Sequence, residues 1–234
     1  MADNEIYIKV TKDGPYFVYG KPLINEKIII SDNDCIAFDY ADGRVFEVKS
    51  EPVCLCRCGK TKTPPFCDGT HNNCNFDGTE TASFEPFINN AVKYEGKNLV
   101  LYDNEKYCAL ARFCDAYGTI WNLILNGDKK SDELAIKEAD LCPSGRLIMY
   151  DKEGNILEKK LPAEISVLED PCYRVSGPLR LQGNIRVESA DGRSYEIRTK
   201  QTLCRCGNSA NKPFCDCSHK HKNCLLYTSP SPRD

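Results

Sequence analysis

One pattern constrains this chain before any other, because it occurs twice. Cys56 and Cys58 are separated by one residue, Cys67 follows nine residues later, and His71 lies four beyond that. Cys204, Cys206, Cys215 and His219 repeat the same spacing. Two cysteines at i and i+2 point to one side of an extended segment. A cysteine and a histidine at i and i+4 share one face of a helical turn. The extended pair and the helical pair can therefore converge on one inorganic core, so the chain has to build the same four-donor site in two places.

The repeat is wider than its donors. Residues 41–49 read Ala-Asp-Gly-Arg-Val-Phe-Glu-Val-Lys, and 190–198 read Ala-Asp-Gly-Arg-Ser-Tyr-Glu-Ile-Arg. Each Asp-Gly (Asp42-Gly43, Asp191-Gly192) signals a turn followed by strand-favouring alternation. Gly14-Pro15 and Gly177-Pro178 open a strand-like stretch in each copy, with more inserted sequence in the first. Between the copies lies a different segment, roughly 84–165. Its apolar run Leu99-Val100-Leu101-Tyr102 predicts a buried strand. Short helices are expected near 105–115 and 131–141, then a strand pair turning at Glu153-Gly154. The expected units are 1–83, 84–165 and 166–224. The tail 225–234 has no hydrophobic periodicity, reads as adapter or vector sequence, and is set aside.

Fifteen cysteines among 234 residues demand an explanation. Disulfides are one, but the count is odd and Met1-Ala-Asp-Asn-Glu5 has neither the basic flank and apolar stretch of an export signal nor the arginine-rich character of a transit peptide. In a reducing compartment dense cysteines more often bind metal, and a cytoplasmic address is expected. A net charge of −3 gives no reason to expect nucleic acid or an anionic membrane as partner. No apolar run approaches the roughly 20 residues of a membrane span.

Pro65 and Pro213 stiffen the approach to the second half of each site. Asp68 and Asp216, straight after the third cysteine, are placed to cap a helix start or to support a ligand. With these neighbours included, Cys56-Arg-Cys58, Thr61 and Pro65-Phe-Cys-Asp-Gly-Thr-His71 resemble the full signature of the CDGSH iron–sulfur domain, the group that includes mitoNEET. Cys204-Arg-Cys206, Ser209 and Pro213-Phe-Cys-Asp-Cys-Ser-His219 resemble it with Cys217 in place of glycine, a residue expected to distort the loop or to offer a competing thiolate. The resemblance implies a 2Fe–2S cluster on three thiolates and one imidazole in each copy. It also implies a β-rich α+β fold, with a β-cap and a cluster loop in each unit and the two copies packed as an internal pseudo-dimer. The bland alternative is structural zinc, which also takes three Cys and one His.

A neutral imidazole in place of a cysteinate makes a cluster less negative and favours its reduction. The imidazole must be unprotonated to bind iron. Cluster loss is therefore expected to accelerate as pH falls toward ~6.5, and His71→Cys to resist acid better.

The middle segment offers a third site in Cys108, Cys114 and Cys142-Pro-Ser-Gly145, since proline often follows the last cluster ligand of a ferredoxin. Residues 98–150 resemble a divergent single-cluster ferredoxin-like domain, implying a 3Fe–4S or a 4Fe–4S cluster. Relatives often carry histidine and glycine where this chain has Leu110 and Arg112, and the alternative is that the three cysteines are small buried hydrophobes.

Cys54 shares a face with Cys56 but has Thr202 as its counterpart and reads as spare. Cys35, Cys74, Cys172 and Cys224 read as free thiols and His221 as a surface residue. Lys129-Lys130 and Lys159-Lys160 read as solvated loop charges, and Tyr117 and Trp121 as packing groups. The expected function is electron transfer or redox sensing through iron–sulfur clusters, without catalysis, serving an unidentified redox partner protein. Cluster storage or delivery to an apo-protein acceptor, and a structural zinc module, are the alternatives.

Overall fold

The computed structural model describes residues 5–221; Cys224 and the tail 225–234 lie outside them. The first copy supplies β1 (Tyr7–Val10), β2 (Tyr16–Tyr19), β3 (Leu23–Ser31), β4 (Ala37–Val45) and β5 (Val53–Leu55). The middle segment supplies β6 (Val92–Glu95), β7 (Leu99–Asp103), α1 (Ile120–Asn126), α2 (Lys129–Leu141) and β8 (Leu147–Asp151). The second copy supplies β9 (Glu164–Asp170), β10 (Val175–Gln182), β11 (Arg186–Glu188), β12 (Lys200–Leu203) and α3 (Ser218–His221).

The two copies exchange strands. One sheet runs β11-β1-β2-β5 and the other β12-β10-β9-β3-β4. β1 of the first copy lies parallel to β11 of the second, and β9 of the second lies parallel to β3 of the first. Alternating apolar residues from both sheets, Ile8, Val10, Val18, Ile24, Ile165, Val167, Leu179 and Leu181 among them, fill one shared core. Neither copy buries its apolar face without strands from the other.

The middle segment is a three-stranded antiparallel sheet, β6-β7-β8, with α1 and α2 packed through Leu101, Ile120, Ile124, Ala135 and Met149. Here α2 and the strand at 99–103 match expectation, whereas 105–115 is not a helix. It holds two short 3-10 turns, Glu105–Tyr107 and Phe113–Asp115, separated by left-handed Leu110 (φ 53°) and Arg112 (φ 68°), which no helix accommodates. Glu153-Gly154 does turn the chain, with Gly154 at φ 88°, but the returning segment makes only a bridge between Tyr150 and Ile156.

The matching Asp-Gly pairs also part company. Asp191-Gly192 makes its turn, with the Gly192 N–H donating to Ser189 O at 3.0 Å. Asp42-Gly43 lies inside β4, with Asp42 opposite Lys27. The extra residues of the first copy close a β3–β4 hairpin, so its own turn sits at Asp32, whose carboxylate accepts from Asp34 and Ile36 N–H. The hairpin leans on the middle unit through Ile29, Tyr40, Ala111 and Phe113. No helix among the described residues is long and apolar enough to cross a membrane.

Candidate metal centres

Each Cys-Arg-Cys segment follows directly on a strand end, β5 at Leu55 and β12 at Leu203. Cys56 N–H donates to Pro65 O at 2.9 Å and Cys67 N–H to Cys54 O at 2.8 Å. In the second copy Cys204 N–H donates to Pro213 O at 2.8 Å and Cys215 N–H to Thr202 O at 2.9 Å. These reciprocal bonds hold the strand end against the segment that delivers the third cysteine. Thr61 Oγ1 to Phe66 O and Ser209 Oγ to Phe214 O, both 2.7 Å, close the intervening loop.

Asp68 and Asp216 fix where the last donor lands. Asp68 accepts from Lys62 N–H at 2.8 Å and Thr70 N–H at 3.0 Å; Asp216 accepts from Ala210 N–H at 2.7 Å and Ser218 N–H at 3.0 Å. Thr70 and Ser218 begin the turns that carry His71 and His219. Each carboxylate thus ties the first N–H of its turn to the preceding loop, although the N-cap of the first turn is Gly69, which makes no side-chain cap bond. The Lys62 N–H, then the hydroxyl and N–H of Thr70, hold the Asp68 carboxyl well below the usual range.

The donors come in pairs. Cys56 Sγ and Cys58 Sγ are 3.7 Å apart, as are Cys204 Sγ and Cys206 Sγ. Cys67 Sγ lies 3.3 Å from His71 Nδ1, and Cys215 Sγ 3.5 Å from His219 Nδ1. Among the described residues no three of His, Cys, Asp or Glu gather at one ion position. Gly69 N–H and Cys217 N–H each donate to the third cysteine's sulfur at 3.4 Å. The two sites meet where Cys58 and Cys206 form an antiparallel bridge. Gly59 there, at φ 72°, leaves no room for a side chain, since a Cβ would stand 2.9 Å from Cys206 O.

Sequence reasoning passed over the arginine inside each Cys-Arg-Cys, although the motif displays it. Arg57 is 2 % exposed and donates to Thr11, Gly14 and Gly78 carbonyls at 2.7, 3.2 and 2.8 Å. Arg205 is 4 % exposed and donates to Gly177 O at 3.0 Å and to Ser176 Oγ. Each cation therefore ties its donor pair to the Gly-Pro turn that opens the copy. Each also places a buried positive charge beside thiolates. Tyr16 adds a tie between halves, its hydroxyl donating to Cys204 O at 2.7 Å and Pro213 O at 3.0 Å.

The two sites differ in access. Cys67 and His71 are half-buried, whereas Cys215 and His219 are 2 % and 3 % exposed. Burial, helped by the charges of Lys220 and Arg205, lowers the His219 imidazole to about 4. Cys54 flanks the first site: burial, then Cys56 and Cys54, push the Cys67 thiol up.

The middle cysteines also converge. Cys114 is pushed up to about 12, by burial first and then by Asp115 and Cys142, with Cys108 adding to it. Cys142 Sγ is 3.5 Å from Ser144 Oγ, and Leu110 N–H donates to Cys108 Sγ at 3.4 Å. Arg146, paired with Asp103 at 2.5 and 2.7 Å, also hydrogen-bonds Cys108. Cys108, Cys114, Cys142, Pro143, Ser144 and Arg146 line one small pocket.

A buried ion network joins this loop to the second site. Arg112 grips Asp170 at 2.7 and 3.1 Å and donates to Leu110 O at 3.1 Å and Cys35 O at 2.6 Å. Lys220, next to His219, donates to Asp170 at 2.7 Å and to Leu110 O at 2.6 Å. Burial alone would raise the Asp170 carboxyl, but Arg112 and Lys220 pull it below the usual range. These bonds hold left-handed Leu110 and Arg112 in place.

Beside that network the structure corrects the reading of Cys35 and Cys172 as free thiols. Cys35, at the β3–β4 tip, and Cys172 are joined as a disulfide with Cα atoms 5.8 Å apart. Their separation of 137 residues hides the pairing, which the parallel β3–β9 register brings about. Cys74 places its Sγ 3.7 Å from His71 O. Lys129 and Lys130 begin α2 rather than occupying a loop; Lys159 faces Asp140 at 3.5 Å. Tyr117 and Trp121 pack against the middle core.

Residues 13–72 and 176–220 match the model described as iron-binding zinc finger CDGSH type. Both copies are CDGSH-type iron-binding regions. Between them, residues 94–152 match the model described as divergent 4Fe-4S mono-cluster. Neither the curated proteins nor the solved structures give a match. These matches support an iron–sulfur protein, and the matched CDGSH regions hold Cys56, Cys58, Cys67, His71 and Cys204, Cys206, Cys215, His219 in equivalent places. Its second CDGSH region departs from the first at Cys217, which takes φ 64° against φ 84° at Gly69.

Proposed function

We propose that the chain is a multi-centre redox carrier, with a 2Fe–2S cluster in each CDGSH region and a 3Fe–4S or 4Fe–4S cluster in the middle unit. The pairing of donors carries this reading. Two ligands per iron, in two pairs, suit a two-iron core, whereas a single zinc takes four donors around one point. Cys56 and Cys58 would hold one iron of the first site, Cys67 and His71 the other, with Nδ1 as the imidazole donor. Cys204, Cys206, Cys215 and His219 would do the same in the second, and Cys108, Cys114 and Cys142 would serve the middle centre.

A bound cluster supplies reversible one-electron chemistry; the chain supplies its surroundings. Arg57 and Arg205 offset negative charge at the cluster, which favours the reduced state. The N–H donors of Gly69 and Cys217 act on sulfur in the same direction. The exchange of β3 and β11 between copies supports reading the two regions as an internal counterpart of a dimer.

Storage or delivery of clusters is the second reading, favoured by the half-buried His71 alone. Anaerobically purified protein tests both. Iron with matching acid-labile sulfide, and reversible reduction without loss of visible absorbance, supports the carrier. Stoichiometric transfer to an apo-ferredoxin supports delivery, and colourless or zinc-bearing protein rejects both.

A further inference from the structure

The parallel pairing of β3 with β9 ends at Ile28 and Glu169, and beyond it each strand runs on into its own turn, at 32–36 and at 171–174. The Cys35–Cys172 disulfide spans the gap between these turns. Arg112 spans it too, donating to Cys35 O at 2.6 Å on one side and to Asp170 at 2.7 and 3.1 Å on the other. Both cysteines are half-buried, and their neighbours Asp32, Asn33, Asp34, Pro171 and Tyr173 are exposed. A thiol reagent therefore reaches the pair without unfolding the core. Iron ligation needs thiolates elsewhere in the chain, so the reducing conditions that preserve those ligands act on this bond as well.

The turn that carries Cys172 leads straight into the surroundings of His219. Tyr173, next to Cys172, lays its ring against two cations, with Arg112 Cζ 4.4 Å and Lys220 Nζ 4.3 Å from the ring centroid. Lys220 directly follows His219 and donates to Asp170 at 2.7 Å. After the turn, β10 passes beside the imidazole itself, since a Cβ built on Gly177 would stand 3.7 Å from His219 Nε2. His219 is 3 % exposed behind this cover. The disulfide thus pins one end of the segment, 171–177, that keeps the histidine of the second site from water.

We propose that the Cys35–Cys172 disulfide is a reversible redox control on the second CDGSH site, opened by a dithiol protein and closed by the disulfide form of such a protein. Its effect on a cluster rests on the reading that this site holds one. A thiolate of the reductant attacks one sulfur, the Cys35–Cys172 bond breaks and a mixed disulfide forms; the reductant's second thiol then displaces it. Two electrons and two protons end on Cys35 and Cys172 as a pair of thiols, and the reductant leaves as a disulfide. The reverse exchange restores the bond. While the bond stands, the 171–174 turn is held to the hairpin tip and His219 stays covered. Once it is open, the two turns are joined through the hydrogen bonds of Arg112, which water can replace, and the segment over Lys220 and His219 opens more often.

The test compares four forms of the full chain prepared without oxygen: the parent, the parent treated with dithiothreitol and then freed of it, Cys35→Ser and Cys172→Ser. Mass spectrometry after alkylation reports the state of the pair. Chelator-driven loss of visible absorbance reports the clusters, and hydrogen exchange of 170–177 and 217–220 reports the cover. The parent is expected to lose its second-site absorbance in a slow phase. In the other three forms that phase is expected to be faster by on the order of tenfold or more. The first-site phase is expected to be unchanged, and exchange to rise in 170–177 and 217–220 but not in 53–71. The treated parent keeps the test valid if either serine variant folds poorly. A slow phase and an exchange pattern indifferent to the disulfide overturn the proposal, as does a bond that dithiothreitol opens only in denaturant. Acceleration of both phases with a uniform rise in exchange also overturns it, since the bond is then a general staple. In colourless protein, which rejects the iron–sulfur reading, the exchange of 170–177 and 217–220 decides alone whether the bond controls the His219 turn.

Discussion

At the scale of single residues the four donors of each site were plain in the sequence, because ligand chemistry restricts residue type and spacing at once. Arg57 and Arg205 were equally visible but not interpretable. Their role depends on carbonyls of the Gly-Pro turn, more than forty residues upstream of Arg57, that only the fold brings near. Removing Arg57 leaves three carbonyl partners without their donor. Arg57→Met is expected to lower stability by about 3 kcal/mol in thermal or denaturant unfolding, and to weaken cluster retention in the first site.

A second residue-scale prediction concerns pH. Glu138 is fully buried on α2, accepts from Tyr117 N–H at 2.7 Å, and is raised to about 7, chiefly by burial. The folded state therefore binds this proton more tightly than the unfolded chain does, whose carboxyl titrates near 4.5. Its contribution is most favourable below that value and is lost as pH rises through about 7. Glu138→Gln is expected to gain about 1–3 kcal/mol over the parent at pH 8, and little at pH 5. Equal unfolding midpoints for the two proteins at both values would contradict the assignment.

Among elements, strands and the long helix followed from periodicity, whereas the connections did not. The 105–115 segment carries helical composition, yet Leu110 and Arg112 are held left-handed by partners from the hairpin and from α3. Nor did the Asp42-Gly43 signal make a turn, since the extra residues of the first copy placed it inside β4. Both are cases of tertiary contacts overriding local preference. The Arg112–Asp170–Lys220 cluster gives this scale its sharpest test. Asp170→Asn strands two buried cations and is expected to cost about 3–5 kcal/mol, with faster hydrogen exchange concentrated in 108–114. A uniform rise in exchange across all three sheets would show that the network is not a local clamp.

The Cys35–Cys172 link joins the hairpin tip to the β9–β10 connection. Cys35→Ser is expected to lower stability by about 2–4 kcal/mol under oxidising conditions. With reductant present, parent and variant should converge.

Across the whole molecule the repeat foretold two similar units, but not that they trade β3 and β11, because parallel pairing between distant strands leaves no local mark. That exchange makes the two sites neighbours of unequal access. The first, with a half-buried His71, is expected to lose its cluster to acid or chelator before the second, where His219 is 3 % exposed. Two kinetic phases in visible absorbance, the faster one abolished in His71→Cys, would record this. At the shared seam Gly59→Ala forces a Cβ against Cys206 O and is expected to disturb both sites together.

The proposed function stands on paired irons, not zinc, at both Cys3His sites. Mössbauer spectroscopy of oxygen-free protein grown on isotopically enriched iron addresses it most directly. Two 2Fe–2S populations are expected, each with one iron site distinguished by imidazole ligation and both separable from any middle-unit cluster. A spectrum lacking any imidazole-ligated 2Fe–2S species, with zinc recovered in stoichiometric amount, would contradict it.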